Sequence, residues 1–108
     1  MKNSYRLPYP APQVFNASLE ILRTVPKCRN LLVVPEILTV YVEFNKFLPA
    51  LCYWICLNAA VEPVNESSCM IHLSSSLPWS FNNSYCSENI HAMTYFMHLL
   101  VNRLASTR

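Results

Sequence analysis

Glycine is absent from this sequence, and so is aspartate. Phosphate cradles of the P-loop type, dinucleotide-binding fingerprints and the strained nucleophile elbow all need glycine where backbone approaches a ligand or turns sharply, so none of them can be built here. EF-hand calcium loops are excluded by the same two absences, because they require aspartate at the first ligand position and glycine at the sharp turn. Turns that demand positive φ must fall on asparagine, the other residue that tolerates the left-handed region. Ten asparagines, Asn30 and the pair Asn82-Asn83 among them, are present for that purpose.

Charge is also scarce. Charged residues make up 13% of the chain against 53% apolar residues, about half the charge of an ordinary soluble domain. The formal net charge of +2 is too small to imply nucleic acid. Its distribution is uneven, with a net +3 over residues 1–46 and a net −1 over residues 47–108. A chain of 108 residues has room for a single unit with one small core.

What is abundant is the apolar stretch from Leu31 to Val61, LLVVPEILTVYVEFNKFLPALCYWICLNAAV. Before it, Pro8, Pro10 and Pro12 bias residues 1–13 towards an extended arm. Val14, Phe15, Leu19, Ile21, Leu22 and Val25 recur at helical spacing and predict a short amphipathic helix over 14–25.

Two structures compete for the stretch itself. Thr39 to Phe44 alternates and is rich in β-branched residues, as a strand would be. Pro35-Glu36 is a helix-start signal, however, and Glu62-Pro63 closes the stretch as a helix end would. The reading adopted from sequence is a helix over about 35–61, kinked near Pro49.

Glu43 and Lys46 are expensive inside a bilayer, about 2.5 to 3.5 kcal/mol each at its centre, whereas each large aliphatic or Phe returns only about 0.3 to 0.6 kcal/mol. Only Phe47 to Val61 is therefore a membrane candidate. Its 15 residues reach about 22 Å as a helix, short of the roughly 30 Å of hydrocarbon to be crossed. Local thinning and a snorkelling Lys46 would make up part of the difference.

The excess of Lys and Arg ahead of this segment predicts a cytosolic N-terminus. Residues beyond it would then lie in an oxidising compartment. There, Asn65-Glu66-Ser67 and Asn82-Asn83-Ser84 are candidate glycosylation sites at Asn65 and Asn82, and Cys69 and Cys86 a candidate disulfide.

Residues 62–86, broken by Pro63, Pro78 and many Ser and Asn, read as a loop. Residues 87–104 carry the clearest helical pattern. Ser87 suits the N-cap, Glu88 the first turn and Arg103 the last. Ile90, Met93, Met97, Leu100, Val101 and Leu104 form an apolar face that Phe96 and Leu99 broaden, with His91, Tyr95, His98 and Asn102 opposite.

Candidate chemistry is thin. Five cysteines cannot all pair within one chain. Cys69-x2-His72 followed by Cys86-x4-His91 supplies two thiolates and two imidazoles, a set that would suit tetrahedral zinc, although its ligand order matches no common finger. Zinc and a Cys69–Cys86 disulfide exclude one another. Ser, His and Glu occur without any spacing that suggests a hydrolytic triad.

The sequence alone therefore predicts a mainly α, small and loosely organised protein that is not an enzyme. It is expected to need no cofactor, no nucleic acid and no small-molecule substrate, and to act at a membrane of the secretory pathway or on a protein partner. The alternative is a cytoplasmic or mitochondrial interaction peptide whose apolar helices fold on a partner protein.

Overall fold

The structure, a computed structural model, describes residues 2–24, 28–48, 51–76 and 87–106. In chain order its elements are strand β1 (Lys2–Leu7), helix α1 (Ala11–Thr24), strand β2 (Cys28–Val34), a 3-10 turn (Pro35–Ile37), strands β3 (Thr39–Leu48), β4 (Leu51–Pro63) and β5 (Cys69–Ser76), and helix α2 (Ser87–Ser106). The strands form one antiparallel sheet in the order β1-β5-β4-β3-β2. Both helices pack on one face of it.

This overturns the mainly α expectation. In its described residues the stretch from Leu31 to Val61 is not a helix but the end of β2, the 3-10 turn, β3 and most of β4; Pro49, near which the kink was expected, lies outside the described residues. The alternation of Thr39 to Phe44 is the pleat of β3: Val40 and Val42 are buried inward, while Tyr41 and Glu43 face the other way. Pro35-Glu36 does start a helical turn, with Pro35 at its first position, but that turn ends after three residues. Leu38 stops it in the left-handed conformation (φ 50°, ψ 46°), its N–H donating to the Pro35 carbonyl. A bulky residue there costs about 1–2 kcal/mol, offset by partial burial of Leu38 against the core and by the Val61 N–H donating to its carbonyl at 2.9 Å. The other positive φ (54°) among the described residues is at Asn30, so asparagine takes one of the two such positions, and Leu38 departs from the expectation that it would take both.

Glu62-Pro63 ends a strand rather than a helix. Pro63, whose missing N–H is tolerated at a strand terminus, pairs with Cys69. The expected loop over 62–86 contains β5, and the expected N-terminal arm contains β1, paired with β5 from Lys2↔Ser74 to Leu7↔Cys69. Helix α1 begins before the predicted residue 14 and carries Pro12 in its first turn, where no intrahelical N–H bond is lost.

Each strand gives one face to the core. Leu7, Val40, Val42, Leu57, Ala59, Val61, Cys69, Ile71 and Leu73 are buried beneath the helices. Against them α1 sets Ala11, Val14, Phe15, Ser18, Ile21 and Leu22, at the i, i+3/i+4, i+7 spacing of one helical face. Met93, Phe96, Leu100 and Leu104 of α2 complete the core, each no more than 1% exposed. The face of α2 is thus rotated from the one expected: Phe96 lies at its centre, while Val101 is 48% exposed. Where the helices meet outside the core, Arg103 donates to the Glu20 carboxylate.

The membrane reading fails on the same geometry. No helix among the described residues is long and apolar enough to cross a membrane, and the described residues of the expected span, 47–48 and 51–61, lie in paired strands. The transmembrane segment, the cytosolic N-terminus inferred from it and the secretory-pathway membrane location are withdrawn. So is the idea of apolar helices that await a partner in order to fold: α1 and α2 already cover the chain's own sheet.

Candidate functional site

The inner surface, between the helices and the sheet, is the first place where a ligand could be held. Its core side chains, Leu7, Val14, Leu100 and Leu104 among them, are buried. Towards one end, β5 stops at Ser76, opposite Cys56. Strands β3 and β4 continue beyond it, with β2 still paired at Cys28↔Phe44 and β3 and β4 alone, as a two-stranded hairpin, from Asn45↔Trp54 to Leu48↔Leu51. Ser75 is the last described inward residue of β5 and is buried, so a hydroxyl stands where the five-stranded region gives way to the hairpin. The inner polar groups among the described residues are few: the buried hydroxyls of Ser18 and Ser75, the half-buried Tyr5 and the Cys69 thiol. Ser18 is satisfied within α1, donating to the Val14 carbonyl at 2.8 Å. Burial pushes the Cys69 thiol above its ordinary pKa, as desolvation disfavours a thiolate.

This arrangement of helices and sheet has counterparts among solved structures. The chain superimposes with a TM-score of 0.56 and 10% identity on the di-domain aromatase/cyclase StfQ of the steffimycin biosynthetic pathway, matching 94% of its own length and 42% of that protein. With the Zhui aromatase/cyclase of a Streptomyces species the TM-score is 0.51 at 8% identity, over 100% of this chain and 94% of the other. A START-superfamily protein of Mycobacterium smegmatis gives 0.50 at 8% identity, over 100% and 98%. The chain shares their helix-grip fold. It spans less than half of the di-domain protein, and at such identities the likeness concerns fold alone. No protein-family model matches the sequence, and no curated protein matches it.

The opposite face of the sheet has no helix on it among the described residues and is polar. Two hydrogen-bonded groups cross its strands. In the first, the Glu43 carboxylate accepts from Arg29 Nε at 2.8 Å and Asn30 Nδ2 at 2.9 Å on one oxygen, and from the Tyr41 hydroxyl at 2.8 Å on the other. The Arg29 and Tyr41 hydrogen bonds hold this carboxyl below its ordinary pKa, against the opposing effect of burial. The Tyr41 hydroxyl also lies 3.1 Å from Cys56 Sγ. Burial first, then its bonds to Cys56 and Glu43, raise the phenol well above its usual value.

The second group joins β1, β5 and β4. Ser4 and His72 are direct cross-strand partners, with Ser4 Oγ 2.7 Å from His72 Nδ1. On the other side of the ring, His72 Nε2 lies 3.4 Å from Glu62 Oε1. A shallow groove of about 230 Å³ adjoins Ser4 and His72, with Lys2, Asn58 and Ser74 among its walls.

Of the residues singled out from sequence, Cys69 and His72 do not converge. Three positions apart on a strand, they face opposite sides of the sheet, the thiol in the core and the imidazole on the outer surface. The chelate-loop spacing of Cys69-x2-His72 presupposed a turn that is not there. Cys86 and Asn82 lie outside the described residues. His91 falls in the first turns of α2, where only the backbone is described. Among the described residues no group of three His, Cys or Glu side chains gathers at a metal-binding distance. Asn65 lies exposed in the β4–β5 turn, its side-chain oxygen accepting from the Ser67 N–H and from the Ser67 and Ser68 hydroxyls, an Asx-turn that stabilises the connection. The Ser4–His72–Glu62 group was missed because its members lie 68 and 10 residues apart. Only the strand register brings them together.

Proposed function

We propose that this protein is a small binding module that holds an apolar small molecule between α2 and the inner face of the sheet, at the end where β3 and β4 run on past β5. The observation that carries the reading is the helix-grip arrangement itself, which corresponds over the full length of this chain to the Zhui aromatase/cyclase. This reading departs from the sequence-based expectation of no small-molecule substrate. The hairpin end is the one assigned to it, because β3 and β4 run on there past the last described residue of β5.

The module is proposed to bind without transforming what it holds inside. Proton-transfer chemistry needs a titratable group near working pH. The described inner wall offers hydroxyls, a phenol and a thiol driven further towards its neutral form. Apolar contact gives the affinity and Ser75 the orientation, a common division of labour in ligand pockets.

Thermal-shift titration with fused-ring aromatics and medium-chain acids tests the proposal. A ligand at a hundred times its Kd adds about 2.7 kcal/mol, equivalent to roughly 10 °C or more in a domain of this size. Ser75→Phe, which fills the site, is expected to remove the shift, and the ligand is expected to be recovered chemically unchanged. If no compound raises Tm and protein purified from cells carries no small molecule by native mass spectrometry, the reading is wrong.

A further inference from the structure

We infer that the outer face carries a second, independent site in which Ser4 is an acyl-accepting nucleophile and His72 its general base, acting on small esters with good leaving groups. This inference does not rest on the inner ligand site, which lies on the other side of the sheet.

A neutral imidazole has one N–H and one lone pair. With the Glu62 carboxylate on the Nε2 side, the N–H belongs on Nε2, because the other tautomer would set a lone pair against a negative charge. Nδ1 is then the acceptor, and the hydrogen bond at 2.7 Å runs from the Ser4 hydroxyl into it. The serine proton already points at the base that must remove it, the relation that activates a weak hydroxyl nucleophile. Glu62 is a positioning residue. It is 65% exposed at the side chain and His72 43%, so water screens its charge and its contribution is to fix the ring.

The groove supplies the remaining parts. Lys2 and Asn58 line it together with Ser4 and His72, and an ammonium and an amide are suitable donors for a developing oxyanion. Its volume of about 230 Å³ falls below the roughly 300–1,000 Å³ of pockets for drug-sized ligands, which restricts the acyl group to a short one. The open surface provides no dry oxyanion hole, so the site suits aryl esters, whose leaving groups need little help, rather than amides.

In the first step Ser4 Oγ attacks the carbonyl carbon while its proton moves to His72 Nδ1, and the carbonyl oxygen becomes an oxyanion facing Lys2 and Asn58. Collapse reforms the carbonyl and breaks the bond to the leaving oxygen, which takes the proton from His72. Water then attacks acyl-Ser4, gives its proton to His72 and releases the acid as the serine recovers its hydrogen.

Hydrolysis of p-nitrophenyl acetate by the full chain, with acetyl transfer followed by intact mass and peptide mapping, tests the inference. The protein is expected to exceed equimolar N-acetylhistidine by about 100-fold or more, the lower range for general-base assistance, and to carry a single acetyl group on Ser4. Ser4→Ala is expected to lose the acetyl group and fall to the N-acetylhistidine rate, as is His72→Phe. Glu62→Ala frees the ring to adopt either tautomer and is expected to lower the rate about tenfold. Glu62→Gln, whose carbonyl still accepts from Nε2, is expected to recover most of that loss. These side chains are on the surface, and unchanged circular dichroism melts would show that the variants fold. A Ser4→Ala protein that keeps the wild-type rate, or acetylation that never reaches Ser4, would overturn the inference and leave His72 as an ordinary surface imidazole.

Discussion

Leu57 and Asn58 are neighbours in β4, and the fold requires that they respond oppositely to truncation. Leu57 is fully buried, facing Val42 and Ser75 across the two adjoining strands. Leu57→Ala removes about three methylene equivalents at about 0.8 kcal/mol each, near 2.4 kcal/mol of transfer free energy. Cavity space left unfilled adds about 24 cal/mol per Å³, which brings the expected loss into the range of about 2.7–5 kcal/mol. Strands β3 and β5 hold this buried position from both sides, so the loss is expected within that range. Asn58 points to the outer face, where Asn58→Ala is expected to change stability by less than about 0.5 kcal/mol. Urea unfolding followed by far-ultraviolet circular dichroism gives both values, and an unchanged m confirms that only stability moved. A domain of this size has about 5–15 kcal/mol in total, so the Leu57 variant loses a large share of it. Equal losses at the two positions, or a loss below about 1 kcal/mol at Leu57, would refute the assignment of faces and with it the strand register.

Glu43, held below its ordinary pKa by Arg29 and Tyr41, takes up its proton later in the folded than in the unfolded state. Its contribution is present above pH 4.5 and is lost as pH falls through its lower folded value. Glu43→Gln is therefore expected to flatten the fall in urea midpoint between pH 5 and pH 2. Tyr41 is the reverse case: its raised pKa contributes stability below the ordinary phenol value of about 10 that is lost as pH rises above it, and Tyr41→Phe is expected to weaken the alkaline decline. Cys69, buried and with its thiol favoured over thiolate, is expected to resist aromatic disulfide reagents in native buffer and to react at once in urea, as peptide mapping would show; rapid native labelling would contradict its burial. The Arg103–Glu20 pair is about half exposed on both sides, so Glu20→Ala is expected to cost no more than about 1 kcal/mol, and less in high salt. A larger, salt-insensitive loss would mean that Glu20 acts through packing.

The two helices were legible because each carries a complete local signal, an apolar face repeating at 3.6 residues between identifiable ends. Even so, sequence misjudged the rotation of α2: Val101 satisfies the same period as Phe96, and only the position of the sheet decides which of them is buried. The strands were harder to read. β4 reads LCYWICLNAAVEP, apolar at odd and even positions alike, so the alternation that marks a half-buried strand is lost. Between β3 and β4 the sequence reads Pro49-Ala50 instead of the Asn-Gly or Asp-Gly signal. A continuous apolar run with a proline in the middle then resembles a kinked helix, and length and charge made it resemble a membrane segment.

By itself the sequence determined what could not be built. Without glycine or aspartate it ruled out the phosphate-cradling, dinucleotide and EF-hand sites, and it put Asn30 where a positive φ was needed. It also determined α1 and α2, whose hydrogen bonds join residues four apart and whose faces are written in consecutive turns. The tertiary structure decided the rest, because a strand is satisfied only by partners that local sequence does not specify. It turned most of the described part of residues 31–61 into sheet, sent Cys69 inward and His72 outward from a spacing that had suggested a shared metal, and set Ser4 against a histidine 68 residues away.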